Sequence, residues 1–519
     1  MPLTKATQNV VEGIVSTGST GVSAGSFQVG QQYKITSLGT TTQSQWNTIA
    51  GTTGQTYVVG SLFTAATTGA SSGNGAAAVA RTLANRFADV VNVLDFGAVG
   101  DGVADDGPAI QAAINYATTK KASISFTGQT FLIKTAIEIK SNVSLIGNNQ
   151  TVLFVDKSCS TGLSIGGGPR CIYTNINTSN VFIYGIVFQS EKVGLTKTVS
   201  VCFQDVSNLK IERCQFIDFG NSTYYSQGLV VFGGENISIV NNTFSNNSGD
   251  GFALSDGSQN FEFIGNTCEN NSDWGAAFTN LCANGTVANN LFLNNTSTGT
   301  GADECTNVIF SGNISNFNEH GIRIARFGST TGDQKYFSIV GNICNGNQFG
   351  ISLEQLSTNG HYSCSGNSIT FSANQGIRIT NSTFGTINGN QISSSGAEGI
   401  LFNADTSNTG NAVVSGNYIA VCNYGIRQIQ SGTGVTERIV VSSNDIDGFT
   451  IQPIQLTNAN FIDSNSSSLY TSTNKVFNFP SGVYSGTATS GGASLPANPW
   501  GFMPIYLGGN EYKIPLYNV

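Results

Sequence analysis

Apolar and polar positions alternate in short runs along most of this chain. Ile322-Arg323-Ile324 and Ile377-Arg378-Ile379 are typical. Such alternation sends successive side chains to opposite faces of a strand. The runs also recur. From 242 to 451 an Asn is followed two positions later by an apolar residue at Asn242/Phe244, Asn266/Cys268, Asn290/Phe292, Asn342/Cys344, Asn367/Ile369, Asn390/Ile392, Asn417/Ile419 and Asn444/Ile446. Asn313/Ser315 keeps the spacing with a small residue. Successive Asn lie 23 to 29 residues apart. Eight or nine residues after most of them comes Gly plus an apolar residue, as in Gly251-Phe252, Gly321-Ile322, Gly376-Ile377 and Gly425-Ile426. A fixed period of this length marks a solenoid, in which each unit buries its apolar face only by stacking on its neighbours. Three short strands and three bends account for one unit, which describes a parallel β-helix growing by roughly 4.8 Å per coil.

Outside the repeat the pattern changes. Residues 1–17 are a short lead with no core of their own, and residues 18–82 are Gly/Thr/Ser/Ala-rich. Strand-like pieces at Phe27–Ile35 and Tyr57–Phe63, with a short helix at Gln43–Ala50, predict a small β-rich module there. Thr67–Ala78 reads as a linker or a wrapped loop and Arg81–Asp89 as a short helix. Val91–Phe96 reads as a strand, followed by a Gly-rich turn and a helix at about 106–118 capped by Asp105 or Asp106. Asp101, Asp105 and Asp106 are thereby assigned to turns and caps rather than to chemistry. The β-helix is expected over 83–463, and 464–519 is a β-rich end piece carrying Trp500, Phe502, Tyr506, Tyr512 and Tyr517.

Composition narrows the function. The 519 residues exceed one compact core, but a solenoid core grows in one dimension. Charged residues are only 10%, while apolar content is 39%, which separates the chain from disordered segments. A net charge of −8 argues against a nucleic-acid partner, and no run reaches membrane-spanning length. The 10 Cys form no close pair, so they are expected to be buried free thiols. Met1 to Val11 holds no apolar signal run, so folding in a reducing cytoplasm is expected. The sequence carries no cofactor fingerprint and no metal-ligand cluster.

Three stretches resemble known proteins. VVNVLDFGAVGDGVADDGPAIQAAINYA (residues 90–117) resembles the N-terminal cap motif of the pectate-lyase-like β-helix superfamily, as used in bacteriophage tailspikes. The lead MPLTKATQNVVEGI and the pieces FQVGQQYKI and VVGSLFTA resemble N-terminal parts of phage tail proteins. GFMPIYLGGNEYKIPLYN resembles the C-terminal segment of phage fibres. The resemblance implies an all-β, right-handed parallel β-helix packed as a homotrimer through its C-terminal piece. It implies a tailspike or tail fibre on the virion tail, docked through residues 1–80 on tail, baseplate or adaptor proteins. Such a protein binds bacterial surface glycan, with depolymerase activity as a candidate function. A purely structural or adhesive fibre is the rival. Lyase chemistry fits less well, because no clustered Asp calcium site with an adjacent basic residue is seen.

Aligning the units on Gly places outward columns side by side. Asp303 and Glu354 fall in one column two coils apart, roughly 9–10 Å, close to the 6.5–9.5 Å of inverting glycosidase pairs. They are the candidate catalytic carboxyls for hydrolysis. Arg323 and Arg378 flank them, and Trp274 and His320 lie just before the Gly of their coils, so these four are candidate substrate-binding residues. The same four charges, Asp303, Arg323, Glu354 and Arg378, equally describe an ion ladder that stabilises stacked coils. Asp250, Asp256, Asp273, Glu319, Glu398 and Asp405 compete for any catalytic role.

Overall fold

The computed structural model describes residues 16–69, 75–81, 90–160, 163–165, 168–192, 200–326, 334–356, 360–456, 462–463, 501–507 and 510–516. The lead 1–15, most of the expected helix at Arg81–Asp89 and most of 464–519 lie outside them. The chain divides into two compact units, residues 1–92 with 116–125, and residues 93–115 with 126–519.

In the first unit, Ser16–Ser23, Ala76–Arg81, Gln32–Ser37 and Leu62–Thr64 form an antiparallel sheet in that order. The helix Gln43–Ala50 falls where its pattern predicts. Thr42 caps it by accepting from the Gln45 N–H, while the Gln45 side chain accepts from the Thr42 N–H, a capping box. Phe27, Tyr33, Trp46, Tyr57 and Phe63 fill the core. Two expectations are corrected here. Part of the supposed linker is the strand Ala76–Arg81, which pairs with two others, and Arg81 ends that strand rather than opening a helix.

The second unit is a right-handed parallel β-helix of about 13 turns. From Val201–Gln204 to Gln391–Ser393 each strand pairs in parallel with the strand three further along, so three sheets run along this part of the stack. One coil is the strand Thr267–Glu269, then Ala276–Phe278, then Ala283–Ala288, with Leu291–Leu293 opening the next. Side chains alternate in and out as the sequence pattern requires. Phe188, Phe216 and Phe244 stack inward at 4.9 and 5.1 Å with nearly parallel rings. Cys268, Phe292, Ser315, Cys344 and Ile369 continue this buried column. All ten Cys are free and buried, as expected for small apolar fillers.

The repeated Asn stands at a buried corner. Asn290 Oδ1 accepts from the backbone N–H of Asn266 and from its amide, at 2.8 and 3.2 Å. Its own amide donates to Phe263 O at 2.8 Å and to Asn313 Oδ1 at 2.9 Å. The same pattern runs from Asn242 to Asn444. The bend interrupts strand pairing here, and the side chain supplies the missing partners in a place water does not reach.

At the start of this unit, Asp101 Oδ1 accepts from the Val103 and Ala104 N–H groups. Asp105 Oδ1 accepts from Gly107, Lys134 and Thr135. Asp106 closes the preceding turn by accepting from Val99 at 2.6 Å and Gly100 at 3.2 Å. The expected strand through Phe96 stops at Asn92, and Val93–Phe96 is a 3₁₀ turn. The helix itself runs from Gly107 to Lys120. Among the described residues no helix is long and apolar enough to cross a membrane.

Candidate active site on the Gly-apolar sheet

The strands that begin at the Gly-apolar pairs form one sheet, whose outer face carries the candidate residues. Its register confirms the column order: Gly301, Arg323, Ser352, Arg378, Leu401 and Arg427 are successive partners. Asp303 pairs with Ala325, and Glu354 lies one coil beyond, opposite Thr380.

The structure brings Glu354 together with both arginines. Arg323 Nη2 donates to its Oε2 at 3.2 Å, and Arg378 Nη2 donates to its Oε1. The Arg378 guanidinium also lies 4.2 Å from the Phe349 ring centroid. Both carboxylate oxygens are thus committed to guanidinium donors, the ion-ladder arrangement. Glu398 is held in the same way by Arg427 at 2.8 Å and Gln375 at 2.8 Å. His320 is buried, stacked on Phe349 at 4.6 Å, with Nδ1 at 3.0 Å from Ser352 Oγ. Burial, then Arg323 and Arg378, push its pKa down to about 2, so the ring is neutral and weakly basic. Trp274 is nearly buried and lies over Gly301, where a Cβ would stand 3.0 Å from the indole and 1.8 Å from Arg323 O.

A different pair of carboxylates has no such compensation. Asp250 and Asp273 lie on neighbouring coils of this face, one residue before Gly251 and two before Gly275. Tyr225, from the loop before Leu229–Phe232, donates its hydroxyl to Asp273 Oδ2 at 3.1 Å and also lies against Asp250. The Trp274 backbone N–H donates to Asp250 Oδ1 at 3.1 Å. Asp250 is only 8% exposed. Burial, reinforced by the charge of Asp273, raises its pKa to about 7, against the opposing hydrogen bonds from Trp274 and Tyr225. Burial raises Asp273 too, opposed by Tyr225 and Ser297. None of the groups acting on either carboxyl is a cation. A buried carboxyl that keeps its proton to neutrality, beside a second carboxyl, has the division of labour that acid–base chemistry needs.

Sequence reasoning held Asp250 and Asp273 only among several competitors. The available signal was their place just ahead of the Gly of neighbouring coils, one residue ahead for Asp250 and two for Asp273. Tyr225 carried no signal, because its loop stands outside the regular repeat. Among the described residues no three His, Cys, Asp or Glu side chains gather as a metal site.

The raised Asp250 pKa makes stability depend on pH in a known direction. The unfolded chain releases this proton near pH 4, the folded chain near 7. The stabilisation is therefore complete below about pH 4 and is lost as pH rises through 7. Asp250→Asn keeps an oxygen for the Trp274 N–H and does not ionise. Urea titrations of both proteins are expected to show the variant gaining on the wild type by on the order of 2–4 kcal/mol between pH 4 and 8. A difference that does not change with pH would mean that Asp250 ionises freely.

Residues 90–323, under half of the chain, match the family model described as rhamnogalacturonase A/epimerase, pectate lyase-like. This stretch includes the N-terminal cap motif, Asp250 and Asp273. No curated protein matches the chain in sequence. Among solved structures, the catalytic unit of a thermostable GH87 α-1,3-glucanase from Streptomyces thermodiastaticus strain HF3-3 superposes with a TM-score of 0.51 at 15% identity, covering 84% of this chain and 89% of that one. The surface protein and adhesin PfbA of Streptococcus pneumoniae gives 0.50 at 19% identity, over 72% of this chain and 100% of that one. The Dettilon tailspike protein gives 0.48 at 15% identity, over 74% and 69%. The likenesses to the glucanase and to PfbA establish the shared fold.

Proposed function

We propose that this protein binds a bacterial surface polysaccharide and hydrolyses it with the Asp250–Asp273 pair. The fold does not choose between enzyme and adhesin, since a glucanase and an adhesin both share it. The observation that carries the reading is the carboxyl pair without a cation, bridged by Tyr225, with the Trp274 backbone N–H on Asp250. Asp250 donates its proton to the leaving glycosidic oxygen as the bond to the anomeric carbon breaks, and ionised Asp273 takes a proton from the water that attacks that carbon. Trp274 offers the edge of an aromatic surface to the saccharide. Asp303 and Glu354 remain the second candidate pair, with Arg323, Arg378 and His320 as the groups around Glu354. Incubating the protein with purified surface polysaccharides of candidate hosts, and sizing the products, tests the activity. Products absorbing as unsaturated sugars would replace hydrolysis by elimination.

The biological setting we propose is a phage tailspike or tail fibre. Its support is the resemblance of the lead, of residues 90–117 and of the final segment to phage tail proteins. In this setting residues 1–17 are the virion-attachment lead and 18–82 the tail-docking module. Residues 83–463 face the host, and 464–519 join three chains. A purely adhesive fibre is the second reading, favoured by the neutralisation of Glu354 and Glu398. Light scattering is expected to give the mass of three chains for the full protein and a smaller mass after deletion of 470–519. A monodisperse monomer of the full protein would refute the trimer.

A further inference from the structure

The outer corner at the start of the third strand of each coil is a left-handed position. In seven coils it is held by Asn: Asn142, Asn180, Asn208, Asn236, Asn260, Asn284 and Asn307, all with φ between 55° and 60°. Their exposed amides bond one to the next, as Asn307 to Asn284 at 2.8 Å. Asn is the natural non-glycine occupant of such a backbone. The ladder then stops. The next coils present Tyr336 at φ 63°, His361, and Phe384 at φ 61°, before Asn411 returns at φ 48°. A bulky aromatic residue at positive φ is an outlier, and such strain gathers at functional sites.

The three rings face solvent rather than the core; Tyr336 is 50% and Phe384 40% exposed. They stack along the coil axis, Tyr336 on His361 at 5.9 Å and His361 near Phe384 at 5.7 Å. Beside them the next outward column is Ser338, Ser363 and Thr386, each paired with the one before. Together these side chains border an open groove of about 540 Å³, within the range of ligand clefts. Between Phe384 and Thr386, Gly385 faces the core and leaves room for the buried Tyr362 ring, which a Cβ there would approach to 1.9 Å. The lining contains no Asp, Glu, Lys or Arg, and Lys335 stands at its edge, 5.7 Å from the Tyr336 ring centroid.

We propose that this groove is a second, non-catalytic saccharide site, which takes an uncharged stretch of polysaccharide laid along the coil axis. A pyranose offers an apolar C–H face and a rim of hydroxyls. The ring wall packs against the first, and Ser338, Ser363 and Thr386 hydrogen-bond the second. The absence of charge in the lining disfavours nucleic acid and polyuronates. The site lies on a different sheet from Asp250 and Asp273, so it holds the polymer without cleaving it. The ligand class comes from the glycan reading above, but the site does not depend on hydrolysis.

The test uses the full chain carrying Asp250→Asn, with or without Tyr336→Asn and Phe384→Asn. These last two changes restore the residue of the ladder, so the coils are expected to fold at least as well. The probes are fluorescently labelled neutral glucan, galactan and mannan oligosaccharides, with a polyuronate series as contrast. Binding of a neutral series by the Asp250→Asn protein, weakened roughly tenfold or more by the two added changes, supports the groove. Equal binding by both proteins, binding of no neutral series, or a changed mass by light scattering (which would make the patch an interface between copies) overturns it. Cleavage by protein with Asp250 intact is measured separately. Loss of that activity reading leaves the groove standing, and failure of the groove leaves the activity standing.

Discussion

Asp250→Asn is expected to abolish polysaccharide cleavage, lowering turnover by on the order of 10²–10⁴-fold. The reason is the proton. Asp250 is pushed up to about 7 by burial and by Asp273, so near neutral pH it still carries the proton that a leaving sugar oxygen needs. Asparagine keeps the shape and the bond from Trp274 but has no proton to transfer. Asp273→Asn is expected to be comparably inactive, since the ionised partner is lost. In the wild type the rate is expected to fall above pH 7, as Asp250 gives up its proton. Asp303→Asn and Glu354→Gln provide the contrast. Glu354 is committed to Arg323 and Arg378, so its replacement is expected to weaken coil stacking more than chemistry. The measurement is the release of reducing ends from a polysaccharide that the wild type degrades, with binding followed in parallel. Wild-type rates in Asp250→Asn would remove the pair from the mechanism. Inactivity confined to Asp303→Asn and Glu354→Gln would return the chemistry to that column.

The largest effect on stability is expected at the buried Asn corner. Asn290→Ala deletes four side-chain hydrogen bonds at once. It leaves the Asn266 N–H and amide and the Phe263 carbonyl without these partners, where Asn290 itself is only 2% exposed. Each buried polar group left unsatisfied costs about 1–3 kcal/mol, so a loss of about 3–5 kcal/mol is expected. The exposed ladder supplies the control. Asn284 bonds Asn260 at 3.4 Å and accepts from Asn307, but water can replace both partners. Asn284→Gly, which tolerates the φ of 59° there, is expected to cost less than about 1 kcal/mol. Urea unfolding of the two variants against the wild type measures the contrast. Equal losses would mean that the buried ladder adds nothing beyond what solvent provides.

The two ladders show why the body of the fold was legible. Each coil repeats a local problem, a bend whose backbone groups lose their strand partners, and Asn solves it each time. Residue type and period therefore recur together, and the column order of Arg323, Ser352 and Arg378 could be written from spacing alone. Asp101, Asp105 and Asp106 were legible for a related reason, since their acceptors serve backbone groups mostly within a few residues. The strand Ala76–Arg81 was not. Its small side chains carry no alternation signal, and it is a strand only because Ser16–Ser23 and Gln32–Ser37 flank it.

The site divides along the same line. Spacing identified the face and put Asp303, Glu354, Trp274 and His320 on it. Which carboxylates keep uncompensated charge depends on where flexible side chains from other coils come to rest. Arg323 and Arg378 converge on Glu354 from either side, while Tyr225 reaches Asp250 and Asp273 from a loop that obeys no period. Burial, which sets the proton affinity of Asp250, is likewise a property of everything packed around it. Backbone order follows from interactions that recur with the sequence. Charge balance is a sum over neighbours that folding alone brings together.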